Sequence, residues 1–245
     1  MITGELATRT RGNTVVIINK GAAVNMATDS TTGQVAVSTP RDKRTTLEKI
    51  IKAAEGEFST RGFEAANIEN IAREAQVTKQ LVYHYFRTKD QLYRATLENV
   101  SAGMGLLTEA ESYIALEPRE AITQLINKII DDFIEHPSYT ALTLDQALHQ
   151  GEHITHSSRF IPTMRATIDQ AFRPILERGM ARGIFRQGLD AEIVFWMLFH
   201  LATACFLNGK VMSEATDIDF TAPAGIERWR EECLAFALNA LGAEA

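Results

Sequence analysis

Apolar side chains recur at intervals of three and four residues along most of the chain after Pro40, which is the spacing of one helix face. The pattern predicts a first helix over about residues 45–60, followed by two short helices, "IENIAREA" and "KQLVYHYF". A long helix over about residues 159–182 should kink near Ala171–Phe172, because Pro174 lies inside it. About nine helices are expected in all. The sequence has neither strand alternation nor an internal repeat, so the predicted fold class is all-α.

The two short helices are joined by a tight turn, which is the arrangement of a helix-turn-helix unit. The second helix offers a cluster of polar and aromatic side chains within seven residues, namely Lys79, Gln80, Tyr83, His84 and Tyr85. Amides and ammonium groups can pair with base edges in a DNA major groove, and aromatic faces with thymine methyls. An alternative is that Tyr83, Tyr85 and Phe86 are core residues of a helical hairpin. That alternative accounts for the aromatic side chains but not for the polar ones.

The distribution of charge changes what the total implies. The formal net charge of −6 argues at first against a nucleic-acid partner. Residues 41–94, however, carry eleven basic and eight acidic side chains, whereas residues 95–245 carry eleven basic and twenty-one acidic ones. A small basic module thus precedes a large acidic one. The two cysteines, Cys205 and Cys233, exclude a disulfide scaffold and fit a reducing cytoplasm. The apolar runs are shorter than a membrane span, and we expect no signal peptide.

The stretch "TTLEKIIKAAEGEFSTRGFEAANIENIAREAQVTKQLVYHYFRTKDQLY" resembles the N-terminal domain of TetR-family transcriptional regulators. The resemblance implies a homodimer that binds a palindromic operator on double-stranded DNA and releases it when a small molecule binds. In this chain, Lys79, Gln80 and Leu81 would open the recognition helix, and Asn67 and Lys89 would hold phosphates. The predicted DNA-binding residues are Asn67, Thr78, Lys79, Gln80, Tyr83, His84, Tyr85 and Lys89.

The match has two departures. Gln76 stands where the family often has glycine, and a left-handed backbone would cost about 1–2 kcal/mol there. Glu69 lies near the expected DNA backbone and would disfavour a phosphate. Residues 1–40 show no sustained period, so we predict a flexible N-terminal extension. The alternative is a basic arm that places Arg9 and Arg11 in a minor groove.

Residues 95–245 are predicted to form a helical ligand-binding and dimerisation domain after the helix-turn-helix domain of residues 41–94. The segment "DAEIVFWMLFHLATACFLNG" is apolar around its whole circumference, so it should be buried on all sides. The last helix offers a matching apolar stripe. We therefore predict a dimeric four-helix bundle, and the alternative is one larger monomer core. Its predicted interface residues are Trp196, Phe206, Trp229 and Phe236.

The segments "ILERGMARGIFRQGLDAE" and "ACFLNGKVMSE" loosely resemble regulators of nicotinate and other aromatic or heterocyclic catabolism. This resemblance implies a small-molecule effector of that chemical kind. The middle helices should enclose its pocket, and Arg165 could bind a carboxylate. Alternatively, Arg165 is a surface charge and His200 an interface histidine. The candidate effector-binding residues are Phe160, Met164, Arg165, Ile168, Phe199 and His200.

Three histidines, His149, His153 and His156, would share one face if their helix persisted, which could suit a metal. Gly151 and the polar residues after it favour an exposed bend instead, so neither a metal nor another cofactor is predicted. The predicted function is a cytoplasmic, ligand-responsive DNA-binding repressor. A transcriptional activator is one alternative. A helical metal-dependent enzyme is the other, and the sequence carries no catalytic motif that favours it.

Overall fold

The computed structural model describes residues 40–103, 110–153 and 160–243. The extension before Pro40 and His156 lie outside these residues, so their interpretations stay predictions. Within the described ranges the chain forms α-helices and one π-helical segment and contains no β-strand, which confirms the all-α prediction.

The first four helices carry the helix-turn-helix and the start of the second domain. They are α1 (Pro40–Ala65), α2 (Ile68–Glu74), α3 (Lys79–Tyr85) and α4 (Lys89–Gly103). The remaining helices lie in the part of the chain that is predicted to be the larger domain. They are α5 (Ala110–Ala115), α6 (Pro118–Glu135), α7 (Pro137–Leu148), α8 (Phe160–Ala166), α9 (Arg173–Ala181), α10 (Ala191–Ala215) and α11 (Pro223–Leu241). Each predicted helix has a counterpart among these, and α5 is additional, since six residues are too few for a periodic pattern.

The helix-turn-helix forms because local capping and burial agree. The long first helix is broken at Gly62, where φ is 70° and ψ is 172°. Asn67 then caps α2, and Thr78 caps α3. Ile71 and Val82 are almost completely buried and join the two short helices to α1. Helix α4 runs without interruption across residue 94, the predicted domain boundary, so the two parts share a continuous helix.

The predicted kink at Pro174 takes the form of a wider turn. Proline has no N–H to donate to the carbonyl four residues earlier, and its ring clashes with that carbonyl. The chain adopts a π-helical segment over Thr167–Phe172, which connects α8 to α9 without a break. The buried side chains of this segment, among them Ile168 and Phe172, pack into the core of the larger domain.

Helix α10 corrects one prediction, namely that no apolar run reaches the length of a membrane span. Its 25 residues are long and apolar enough to cross a bilayer, judged by length and composition only. A single such helix is weak evidence, because core helices of soluble proteins pass the same test. In the structure, 44% of its most apolar window is buried, and it packs against α6 and α11. We therefore describe α10 as a core helix.

Gln76 adopts the left-handed conformation that the sequence comparison anticipated, with φ at 57°. We expect Gln76→Gly to raise the free energy of unfolding by about 1 kcal/mol, since glycine has no Cβ to be strained there. Urea denaturation followed by circular dichroism measures the change. Gln124→Gly, at an exposed site inside α6, is the matched control and should lower stability by a similar amount. Loss of stability in both variants would contradict the strain argument.

Cys205 and Cys233 are both free and buried. Burial raises the pKa of the Cys205 thiol to about 11 and that of Cys233 to about 12. Because the thiolate is the reactive form, neither should react with a thiol reagent at pH 8 in the folded protein. Both should react once the chain is unfolded in guanidinium chloride. Rapid labelling of the folded protein would show that α10 and α11 open readily.

Candidate nucleic-acid interface and regulatory surfaces

Helix α3 presents one polar face to solvent. Lys79, Gln80, Tyr83 and His84 are exposed, and 42% of the Tyr83 surface is accessible. The opposite side is anchored by Val82, which is 1% exposed. The Thr78 hydroxyl accepts a hydrogen bond from the Leu81 N–H at 3.2 Å and fixes where the helix starts. The structure thus brings most of the predicted DNA-binding residues together on one accessible face.

The aromatic end of α3 divides between surface and core. Tyr85 and Phe86 are half-buried and pack against the core, whereas Tyr83 is exposed. The hairpin-core alternative therefore describes Phe86 and part of Tyr85, but not Tyr83. A role for Tyr85 in DNA contact stays a prediction.

Asn67 acts at the start of α2 as a helix cap. Its side-chain oxygen accepts from the Glu69 N–H at 2.8 Å, and its own N–H donates to Glu57 at 3.0 Å. Asn70 donates to the same Glu57 oxygen, also at 3.0 Å. These bonds to Glu57 hold the start of α2 against α1. A phosphate contact by Asn67 stays a prediction, and it would use the side-chain N–H groups, because the backbone N–H is donated to Glu57.

An ion pair that the sequence did not predict lies on the predicted DNA-binding surface. The Lys79 ammonium, at the start of α3, is 2.6 Å from the Glu69 carboxylate on α2. The hydrogen bond between them lowers the pKa of Glu69 and raises that of Lys79. Both side chains are exposed. If Lys79 contacts DNA as predicted, Glu69 would compete with the DNA for its ammonium group.

We expect Glu69→Gln to strengthen binding to random-sequence DNA by about threefold, because Lys79 is released. One additional phosphate contact should also steepen the slope of log affinity against log salt by about 0.9. Fluorescence anisotropy at several salt concentrations measures both quantities. Glu74→Gln removes the same charge from the other end of α2 and is the control for net charge. Equal effects in the two variants would exclude a specific role for Glu69.

Lys89 has a structural contact that the sequence did not indicate. Its ammonium donates to the carbonyl oxygens of Glu64 and Ala66, at 3.0 and 3.2 Å. It also lies over the Phe63 ring, 4.8 Å from the centroid. These contacts hold the connection between α1 and α2. A phosphate contact by Lys89 stays a prediction that would use its remaining N–H.

Helices α10 and α11 border an open apolar groove of about 1030 Å³. Its wall includes large side chains that solvent reaches: Ile193 is 56% exposed, Met197 65% and Phe236 66%. Trp196 lies on the same wall. One side of α10 is therefore exposed within a single chain, so the alternative of one larger monomer core does not describe this helix. Coverage of this face by a second copy stays a prediction.

The other two predicted interface residues are engaged within the chain. Phe206 packs against Phe133, with ring centroids 5.4 Å apart. The Trp229 indole donates to the Leu201 carbonyl at 3.0 Å. Both are half-buried. Neither lines the groove, so a direct contact of Phe206 or Trp229 with a partner stays a prediction.

The structure does not gather the candidate effector residues into one site. Ile168 and Phe199 are buried in the core, Met164 is half-buried, and Arg165 is exposed. His200 is exposed on the groove, where its ring stacks on Trp196 at 6.0 Å. This placement favours the interface alternative for His200. Phe160 begins α8, but its side chain lies outside the described part of the structure.

His149 and His153 lie within hydrogen-bonding distance of other groups of the protein. His149 Nδ1 is 2.8 Å from the Asp145 carbonyl oxygen, and His153 Nδ1 is 3.1 Å from the Asp90 carboxylate. His153 is 8% exposed, which corrects the prediction of an exposed bend. Among residues 40–103, 110–153 and 160–243, no group of three His, Cys, Asp or Glu side chains is arranged to hold a metal ion.

Two family models match this chain. One, described as "Bacterial regulatory proteins, tetR family", covers residues 50–96, which include α2 and α3. The other, described as "Tetracyclin repressor-like, C-terminal domain", covers residues 118–236. The chain belongs to the TetR family. It is therefore a DNA-binding transcription regulator, as the recognition helix predicts.

Named relatives of this TetR-family chain are regulators of the same kind. It is 29% identical over 190 residues to the HTH-type transcriptional repressor NicS of Pseudomonas putida, covering 75% of this chain and 86% of NicS. It is 25% identical over 170 residues to the repressor SCO4008 of Streptomyces coelicolor, covering 66% of this chain and 79% of SCO4008.

Solved structures confirm the TetR-like fold. A regulator from Streptomyces coelicolor, SCO4942, superposes with a TM-score of 0.60 at 20% identity, covering 80% of this chain and 98% of that one. The regulator KstR2 of Mycobacterium tuberculosis gives 0.59 at 18% identity, covering 81% and 95%.

Proposed function

We propose that this TetR-family regulator is a homodimeric repressor that binds a palindromic operator and leaves it when a small-molecule effector binds. The observation that carries the proposal is the exposed face of α3, whose Lys79, Gln80, Tyr83 and His84 project from a buried support. A helix of this kind fits the major groove, and its first residues reach the base edges. The contact residues are therefore the predicted set, with Tyr83 and Gln80 at its centre.

The open groove between α10 and α11 supports a two-fold dimer. A two-fold interface uses the same patch on both subunits. The groove offers such a patch, because α10 and α11 both contribute apolar side chains to it. Ile193, Trp196, Met197 and Phe236 would lie at its centre. Two copies would then present two recognition helices, which a palindromic site with half-sites about 34–36 Å apart requires.

Repression is favoured over activation by the relatives that align over most of their length. NicS and SCO4008 are both named repressors. FasR of Mycolicibacterium smegmatis is named an activator, but its match covers only 99 residues and 40% of this chain. The effector would be a small aromatic or heterocyclic molecule, as the resemblance in residues 175–192 and 204–214 implies. We place the protein in the cytoplasm, with its DNA.

Anisotropy titrations with two labelled duplexes test the proposal. One carries the DNA upstream of the protein's own gene, and the other a shuffled sequence of the same composition. The expected preference for the first is about a thousandfold or more, and affinity for both should fall with salt. Equal affinity for the two duplexes at every salt concentration would overturn the proposal. A reporter fused to the same promoter separates repression from activation by the sign of the response.

A further inference from the structure

A buried polar junction joins the regulatory domain to the end of α1 where the chain turns towards the recognition helix. We call it the α7 junction. Its central side chain is Asp145, which α7 carries in its last turn and which is 8% exposed. Its other members are Gly62, Phe63, Tyr93 and Gln146.

Asp145 uses both carboxylate oxygens on the DNA-binding side of the molecule. One oxygen accepts from the Phe63 N–H at 3.1 Å, directly after the break in α1. The other accepts from the hydroxyl of Tyr93, which is completely buried on α4. Burial, with the bond to Asp145, raises the pKa of Tyr93, so the phenol keeps the proton that it donates. Gln146 donates to the same hydroxyl at 2.9 Å.

Gly62 lets α7 approach this closely. A Cβ on Gly62 would lie 2.9 Å from an Asp145 carboxylate oxygen, and the backbone there has φ of +70°. Both conditions disfavour any larger residue. The carboxylate is therefore seated against the backbone at the point that sets the direction from α1 to α2.

Two further contacts attach the same helix and its end to the DNA-binding part. At the start of α7, the Ser138 hydroxyl donates to Glu55 on α1 at 2.6 Å. Just beyond its end, the His153 ring lies 3.9 Å from the Phe63 ring, centroid to centroid. Helix α7 thus follows α1 over its length, and the Phe63 backbone and ring are both held from the regulatory side.

We propose that Asp145 is a positioning residue that couples the effector state of the regulatory domain to the orientation of α2 and α3. This inference rests on the proposed effector-responsive function. A shift of α7 moves the carboxylate, and the carboxylate holds the α1–α2 corner through Phe63 and the start of α4 through Tyr93. Coupling between two binding sites is reciprocal. If effector binding changes the orientation of α3 through Asp145, operator binding must also change the state of α7.

The Asp145→Asn variant breaks the junction with little change of shape. Its single side-chain oxygen can replace one carboxylate oxygen but not both. If that oxygen accepts from Phe63, the Tyr93 hydroxyl loses its acceptor and meets an amide N–H instead. Tyr93→Phe is the milder variant, because it removes one donor and leaves the bond to Phe63. Ile122→Val, in the α6 core, is a matched control for general loss of stability.

Amide hydrogen exchange by mass spectrometry, on the full-length protein, provides the test. In the free protein, Asp145→Asn should increase exchange about tenfold over residues 62–85 and leave α10 and α11 unchanged. In the wild type, saturation with the promoter duplex should slow exchange in α7, and Asp145→Asn should abolish that response. Promoter affinity of the variant should fall about tenfold, within the usual range of coupling between sites. Ile122→Val should keep the α7 response.

Each outcome bears on the inference separately from the proposed function. If the wild type binds the promoter but α7 does not respond, the coupling is wrong and the repressor function stands. Unchanged exchange over residues 62–85 in Asp145→Asn overturns the coupling whether or not the promoter is bound. If Asp145→Asn does not fold, Tyr93→Phe should show the same changes in weaker form. If that folded variant behaves as Ile122→Val does, Asp145 is a structural residue only.

Discussion

Met197→Glu is expected to convert the proposed dimer to a monomer and to weaken promoter binding by about a hundredfold or more. Met197 is 65% exposed on the groove wall, so a carboxylate there is solvated in the isolated chain and should not disturb its fold. In a two-fold dimer the substitution occurs twice and would bury two like charges in an apolar interface. A monomer has one recognition helix, so it loses the gain in affinity from binding two half-sites together.

Sedimentation velocity measures the assembly, and anisotropy with the promoter duplex measures the binding. Ile134→Glu is the matched control, since it places the same charge at an exposed apolar position on α6, outside the groove. It should remain dimeric and bind as the wild type does. A Met197→Glu protein that sediments as a dimer would show that the copies associate through another surface.

The second large effect is expected in the recognition helix. Gln80→Ala combined with Tyr83→Ala should reduce the preference for the promoter over shuffled DNA by about a thousandfold, the lower end of what two contacts in each of two half-sites supply. One good base contact contributes about 1–3 kcal/mol, and each lost contact occurs in both half-sites. Because both side chains are exposed, the melting temperature should change little.

Affinity for the shuffled duplex is the internal control in this experiment. It depends on phosphate contacts, and neither substitution removes a charge, so it should stay within about twofold of the wild-type value. Equal losses on both duplexes would indicate that Gln80 and Tyr83 hold the backbone instead of reading the bases. An unchanged preference would place sequence readout elsewhere on α3.

The helix-turn-helix could be predicted from sequence because its determinants are local. The caps Asn67 and Thr78 and the break at Gly62 each act within a few residues of their own position. The apolar spacing of Ile71 and Val82 identifies which face is buried. The exposed face of α3 then follows, and four of the predicted DNA-binding residues lie on it.

The long-range contacts of this surface and of its support could not be predicted, because they join distant parts of the chain. Glu69 and Lys79 are ten residues apart, whereas Asp145 is 52 residues from Tyr93 and 82 from Phe63. No local pattern specifies such pairs. Because α10 is apolar around its whole circumference, its sequence predicts a helix bundle. It does not predict which side of α10 faces which neighbouring helix. It could not show that Trp196 faces the groove while Phe206 packs inward on Phe133.

The π-helical segment Thr167–Phe172 has a consequence for how much change this part of the chain tolerates. A π turn holds one residue more than the α-helical turn it replaces. Deleting a single residue there would restore the regular helix and leave α8 and α9 in nearly the same relative rotation. Deleting one residue from the α-helical part of α9 would instead rotate α8 by about 100° relative to the residues that follow, with an axial shift of about 1.5 Å. Met164, now half-buried, would then take the exposed position of Arg165. The π-helical segment is therefore the part of this helix in which the loss of one residue keeps the same side of α8 against the core.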